Sequence, residues 1–242
     1  TLGQALIDNP AVAGITFTGS YEVGMGIYRN FAQREYVHPA ILELGGKNAV
    51  IVSRHADIEG AAMGIVRSAF GLQGQKCSAS SRVYVEKPVY QKLLDRMIDL
   101  TKNMVIGNPA ERATFLGPVI NQNAYQNYQD YLDKIYHAGG RFLTGGKVLK
   151  DGELGKGYFC APTIVADLPL KNSLWKTEMF VPITTMAYVD SLEEAMQLAN
   201  DSVYGLTAGF YGSLEEASWF FDAIQAGVAY ANRPQGATTG AW

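Results

Sequence analysis

The sequence predicts an α/β fold built around a mostly parallel sheet. Short runs rich in Val, Ile and Thr alternate with amphipathic stretches of helical period, the pattern of repeated strand–helix units. Several of the helical stretches open on a Ser or Asp able to cap them. Apolar residues make up 48% of the 242 and charged residues 18%, a balance that supports a sizeable core and argues against disorder.

Residues 12–17 read as a buried strand, because Val12, Ile15, Thr16 and Phe17 favour extended backbone. Thr18-Gly19-Ser20 makes a turn, and Ser20 caps a helix over 22–32. A second short strand covers 48–52. Asp57 caps a helix through Phe70, whose Ile58, Ala61, Ala62, Ile65, Val66 and Ala69 recur at helical spacing. Residues 71–76 form a glycine-bearing loop and 82–85 a strand, after which Pro88 suits the first turn of a helix reaching about Leu100. Past a loop with Gly107-Asn108-Pro109, a long helix spans about 121–137 and stops at Gly139-Gly140. Residues 145–157 are a polar, glycine-rich excursion, either a hairpin or a surface loop. Strands follow at 163–166 and 182–189. Ser191 caps a helix to Asn200, 206–211 is a strand, Ser213 caps a helix to about Ala226, and 228–231 is the last strand.

The formal net charge is −3 and no Lys/Arg-rich run appears, so neither nucleic acid nor an anionic membrane surface is expected as a partner. Two cysteines, Cys77 and Cys160, cannot make a disulfide framework. A reducing setting is expected: the cytoplasm or, in a eukaryote, the mitochondrial matrix. The first ten residues lack the basic and apolar regions of a signal peptide, and no run of about 18 apolar residues marks a membrane span. The chain begins without Met and stops at Gly240-Ala241-Trp242, so both ends read as cut. No metal-ligand set is expected.

Three stretches can carry chemistry. At Gly19-Ser20 a strand turns into a helix N-terminus, whose unpaired amides suit a pyrophosphate; the same residues also make an ordinary helix cap. No G-x-G-x-x-G fingerprint is present, and Gly145-Gly146-Lys147 fails as a phosphate loop because Val148 and Arg141 stand where Ser/Thr and Gly are needed. Glu43 precedes Gly45-Gly46 between apolar segments; it is either a general base approached closely by backbone or a solvated turn residue. Cys77 follows a glycine-rich loop and precedes Ser78-Ala79-Ser80-Ser81, small side chains that leave a sulfur accessible. The competing reading is a buried, inert thiol, which suits Cys160 between Phe159 and Ala161.

Taken in order, Phe17-Thr18-Gly19-Ser20-x-Glu22-x-Gly24, Glu43-Leu44-Gly45-Gly46-Lys47 and Gly74-Gln75-x-Cys77 resemble the aldehyde dehydrogenase superfamily. The 34 positions between Glu43 and Cys77 match that family's separation. Glu178-x-Phe180-x-Pro182 and Asn200-x-x-x-Tyr204-Gly205-Leu206 resemble two further segments, so the likeness covers essentially the whole chain. The resemblance implies a catalytic domain of that family with a mostly parallel sheet over about 43–231. It also implies an orphaned strand–helix piece of the Rossmann-like cofactor domain over 1–42, and a return segment toward the substrate site over 232–242.

It further implies roles. Cys77 would be the nucleophile and Glu43 the base that activates hydrolytic water. Gly19 and Ser20 would lie at the pyrophosphate of NAD (or NADP), Glu178 would hold the nicotinamide ribose, and Phe180 would pack near that ring. The stretch around Cys77 and the ending Asn232-Arg233-Pro234-Gln235-Gly236-Ala237-Thr238-Thr239-Gly240-Ala241 resemble the branch that oxidises glutamate γ-semialdehyde, a small-molecule aldehyde, to glutamate. There Ser78, Gly240 and Ala241 would hold the substrate carboxylate, with the alternative that the ending is a bare Gly/Thr loop. Branches that release the thioester with coenzyme A often lack the base, so Glu43 points to hydrolysis. The family's chains are much longer and homo-oligomeric. This chain alone is therefore expected to turn over little aldehyde and to expose the apolar strand holding Ile15 and Phe17. The competing function is a non-catalytic fragment or binding module with the same fold.

Overall fold

The structure is a computed structural model that describes residues 2–233. The expected substrate contacts Gly240 and Ala241, and most of the return segment, lie outside the described residues. The chain divides into two compact units, Thr1–Gly45 and Gly46–Trp242.

The first unit holds α1 (Leu2–Asp8), β1 (Ile15–Thr18), α2 (Tyr21–Ala32) and β2 (Ala40–Glu43). Ser20 caps α2 as expected, its Oγ accepting from the Val23 amide at 3.3 Å. The strand begins later than expected, at Ile15, and pairs in parallel with β2, from Ile15↔Ala40 to Thr18↔Glu43. Neither α1 nor β2 was expected. The four-residue Ala-Ile-Leu-Glu strand is too short to show a period, and its extension comes from pairing with β1. Glu43 thus closes β2 inside the first unit, which runs to Gly45, where the sequence reading opened the second domain on it. Ile15 and Phe17 are half-buried, which corrects the expectation that they form the exposed apolar surface; that surface lies on Tyr28, Tyr36, Val37 and Ile41. Helix α2 and the segment after β2 pack tightly: a Cβ on Gly24 would fall 2.4 Å from Leu44.

The second unit is a seven-stranded sheet. Its strands are β3 (Asn48–Val52), β4 (Ser80–Glu86), β5 (Arg141–Thr144), β6 (Thr163–Ala166), β7 (Ile183–Val189), β8 (Thr207–Tyr211) and β9 (Val228–Ala231). Its helices are α3 (Ile58–Phe70), α4 (Lys87–Lys102), α5 (Gln122–His137), α6 (Leu192–Asn200) and α7 (Leu214–Ala223). The order across the sheet is β5-β6-β7-β4-β3-β8-β9, and every pairing is parallel except β5–β6. Both faces are covered. Along β3, Ala49 and Ile51 enter one core with Trp175, Phe210 and Phe220, while Val50 and Val52 enter the other with Ile65, Leu93 and Met97.

The expected caps hold at Asp57, Ser191 and Ser213, and Pro88 lies in the first turn of α4. Gly139 follows α5 with φ +87, the left-handed backbone that glycine adopts freely. Residues 145–157 belong to a hairpin-like excursion, with Leu149 donating to Phe159 O and Ala161 to Lys147 O. Helix α7 ends at Ala223, three residues sooner than expected. The reason is tertiary: Asn200, at the end of α6, donates to Ala223 O at 3.0 Å and accepts from the Gln225 amide at 2.9 Å. β5 was missed because Arg-Phe-Leu-Thr is an edge strand with half-exposed side chains.

Candidate active site

Cys77 stands on a turn at the entrance to β4. Helix α3 ends in a 3-10 turn (Gly71–Gly74) in which Leu72 (φ 52), Gln73 (φ 58) and Gly74 (φ 68) all take left-handed backbone. A Cβ on Gly74 would lie 2.4 Å from Val181 O, so only glycine lets the 178–181 segment pass. Residues 76–79 then close a turn through Ala79 N–H to Lys76 O at 3.0 Å. Cys77, on this turn, is half-buried, and Ser78 beside it is buried. Cys160 is only 1% exposed, and burial pushes its thiol up to about 12. Burial also pushes the Lys76 amine down, with Cys77 opposing that shift.

The turn is fastened to the start of β3. The Asn48 side chain donates to Cys77 O at 2.7 Å and to Ala79 O at 2.8 Å, and accepts from the Thr207 amide at 3.1 Å. The preceding Gly46 has no room for a side chain: a Cβ would meet Cys77 O at 2.4 Å and Asn48 Oδ1 at 2.8 Å. Register shifts at this point, Asn48 facing Ser80 but Ala49 facing Arg82, so Ser81 is the extra residue of a bulge. Arg82 is buried and donates to Lys47 O at 2.7 Å and to Leu198 O and Ala199 O at 3.0 and 2.9 Å. It therefore ties the β3 entrance to the last carbonyls of α6.

Glu178 and Phe180 precede β7. The Gly46 amide donates to Glu178 Oε1 at 2.9 Å. Phe180 has φ 54, an uncommon state for an aromatic residue, and the residue is 46% exposed. Both residues line one small cleft with Gly46, Lys76 and Ser81. A carboxylate that accepts hydrogen bonds and an exposed flat ring are side-chain types that suit a ribose hydroxyl and a nicotinamide ring. Strands β7, β4, β3 and β8 are parallel neighbours, so the segments leading into them share one rim of the sheet. That rim is the amino-terminal one, whereas open parallel sheets usually bind ligands at the carboxyl ends.

Lys47 sits beneath this rim. It is 1% exposed, and its Nζ has no hydrogen-bond partner among the described residues. Burial, and next the Arg82 charge, push its amine down to about 7, against the pull of Glu178.

In the first unit, Gly19 and Ser20 lie between β1 and α2. The Gly19 amide donates to Glu43 O at 3.0 Å, and the space where a Cβ would sit is filled by the Phe17 ring at 2.4 Å. The Glu43 side chain ends β2 and is exposed. Among the described residues, no cluster of three or more His, Cys, Asp or Glu could hold a metal ion, and no helix is long and apolar enough to cross a membrane.

Sequence reasoning missed Lys47, Asn48 and Arg82. The one available signal was three polar residues placed at the mouths of otherwise apolar strands.

The aldehyde dehydrogenase family model matches residues 1–241. The chain is 43% identical over 213 residues to the 1-pyrroline-5-carboxylate dehydrogenase of Geobacillus kaustophilus, covering 85% of this chain and 40% of that protein. It is 40% identical over 243 residues to the enzyme of the same name from Anoxybacillus flavithermus, covering 96% and 45%. A solved 1-pyrroline-5-carboxylate dehydrogenase from Thermus with bound NAD superposes with a TM-score of 0.89 at 37% identity, over 96% of this chain and 45% of that one. Lactaldehyde dehydrogenase from Escherichia coli superposes at 0.90 with 36% identity, over 96% and 48%. The chain thus spans less than half the length of these relatives. With the family model matched over residues 1–241, the chain belongs to the aldehyde dehydrogenase family.

Proposed function

We propose that this chain carries the thiol of an NAD(P)-dependent aldehyde oxidation, and that the aldehyde is glutamate γ-semialdehyde. The observation that carries the reading is the contrast between the two cysteines. Cys77 is half-buried on a fastened turn at the sheet's rim, and Cys160 is sealed in the core. The substrate class rests on the relatives named 1-pyrroline-5-carboxylate dehydrogenase.

In this mechanism the Cys77 thiolate adds to the aldehyde carbon, forming a C–S bond and an alkoxide. A bound nicotinamide supplies the acceptor for the hydride that then leaves this carbon. The product is a thioester on Cys77. Glu43 takes a proton from water, the water oxygen adds to the thioester carbonyl, and the C–S bond breaks to give carboxylate and thiolate. The Cys77 amide donates to the oxyanion. Glu178 would hold the nicotinamide ribose, Phe180 would flank the ring, and Gly19 and Ser20 would face the pyrophosphate. On the resemblance alone, Ser78, Gly240 and Ala241 would hold the substrate's α-carboxylate; Ser78 is buried, and the other two lie outside the described residues.

The test uses two variants in an oxidation-competent preparation of the protein, with glutamate γ-semialdehyde as substrate. Cys77→Ser lowers NADH formation by about 1000-fold or more. Glu43→Gln leaves one rapid equivalent of NADH and then stalls at the thioester. Oxidation by Cys77→Ser at the unaltered rate refutes the proposal.

A further inference from the structure

We propose that Asn48 is a positioning residue for the nucleophile, holding the Cys77 turn in its reactive geometry. The inference rests on the reading of Cys77 as nucleophile and adds a residue to which nothing so far assigns a role.

The argument is one of donor and acceptor capacity. A primary amide has two N–H donors and one oxygen. Asn48 is buried, and its Nδ2 serves Cys77 O and Ala79 O at 2.7 and 2.8 Å, while Oδ1 takes the Thr207 amide at 3.1 Å. One side chain from β3 therefore fixes both ends of the short stretch that carries the thiol, and is itself oriented from β8. No other side chain reaches these two carbonyls among the hydrogen bonds of the described residues. Gly46 completes the arrangement from the other side, since its missing Cβ leaves the space that Cys77 O and Asn48 Oδ1 occupy. The bulge at Ser81 interrupts the regular β3–β4 ladder beyond Ser80, so that ladder reaches the turn only through the Asn48–Ser80 pair. A shift of about 1 Å in a reacting atom costs on the order of 100-fold in rate. The turn is where such a shift would arise if the amide were lost.

The test compares Asn48→Ala and Asn48→Asp in an oxidation-competent preparation of the protein. Asn48→Asp keeps the size and the acceptor for Thr207 but turns an oxygen toward two carbonyls. We expect kcat to fall about 10- to 100-fold in both at neutral pH, with KM for NAD within about twofold of the parent. As pH is lowered, the new carboxyl of Asn48→Asp takes a proton and donates to one carbonyl. The rate of Asn48→Asp relative to the parent therefore rises toward acid pH, and that of Asn48→Ala does not. Amide hydrogen exchange accelerates in peptides covering 76–80 and stays unchanged along Val83–Val85. Wild-type kcat in both variants overturns the inference, as does exchange that speeds up equally through β3, β4 and β8. Activity of Cys77→Ser would instead remove the nucleophile reading itself, so the two failures are distinct.

Discussion

Replacing Lys47 by Met tests the electrostatics of the rim most directly. The Lys47 amine is buried without a hydrogen-bond partner among the described residues, and burial pushes it down to about 7 from the ordinary 10.5. Each unit of depression corresponds to about 1.4 kcal/mol of penalty on the charged form, so the folded state disfavours the cation by about 5 kcal/mol. Below about pH 7 both folded and unfolded chains hold the proton, and the whole penalty is present. Between 7 and 10.5 the unfolded chain holds more protons than the folded one, so stability rises with pH at about 1.4 kcal/mol per unit. Lys47→Met has a similar volume and no proton to lose, so it lacks this rise. The variant should be the more stable protein at pH 6.5, and its lead should shrink by about 2 kcal/mol between pH 8 and 9.5. Urea unfolding of both proteins across that range measures the gap. A gap constant to within about 0.5 kcal/mol between pH 8 and 9.5 refutes the reasoning, because it would mean that the Lys47 amine does not titrate differently in the two states.

Two further outcomes follow from the same geometry. Arg82→Ala orphans the carbonyls of Lys47, Leu198 and Ala199 and should cost about 3–5 kcal/mol, read by urea unfolding; a loss below about 1 kcal/mol would show that water satisfies them. Iodoacetamide at pH 8 should label the Cys77 peptide about 100-fold faster than the Cys160 peptide in the native protein, since the Cys160 thiol is sealed and shifted to about 12. Equal rates by mass spectrometry would contradict the burial contrast.

Local chemistry made much of the architecture legible. Ser20, Asp57, Ser191 and Ser213 each cap the helix that their position announced, and the apolar runs of β3 and β6 are continuous because both sheet faces are covered. The ordered motifs carried the family. Elements without a strong local signature were lost: α1 has only seven residues, β2 only four, and β5 is a half-exposed edge. Phe180 was singled out through resemblance alone, since nothing in its sequence neighbourhood announces a left-handed aromatic residue.

The residues that organise the Cys77 turn were beyond any such reading. From the sequence alone came the alternation of strands and helices, the caps, and a cysteine in small-residue company. Only the folded chain decided that this cysteine faces the amino-terminal rim, and that Asn48, 29 positions earlier, takes its carbonyl while being held by Thr207, 159 positions later. It likewise decided that Gly46 donates to Glu178 across 132 positions. Helix and strand propensities act within a few neighbours. Donor–acceptor pairs at such separations exist only after parallel strands have stacked side by side, so no window of sequence contains both partners.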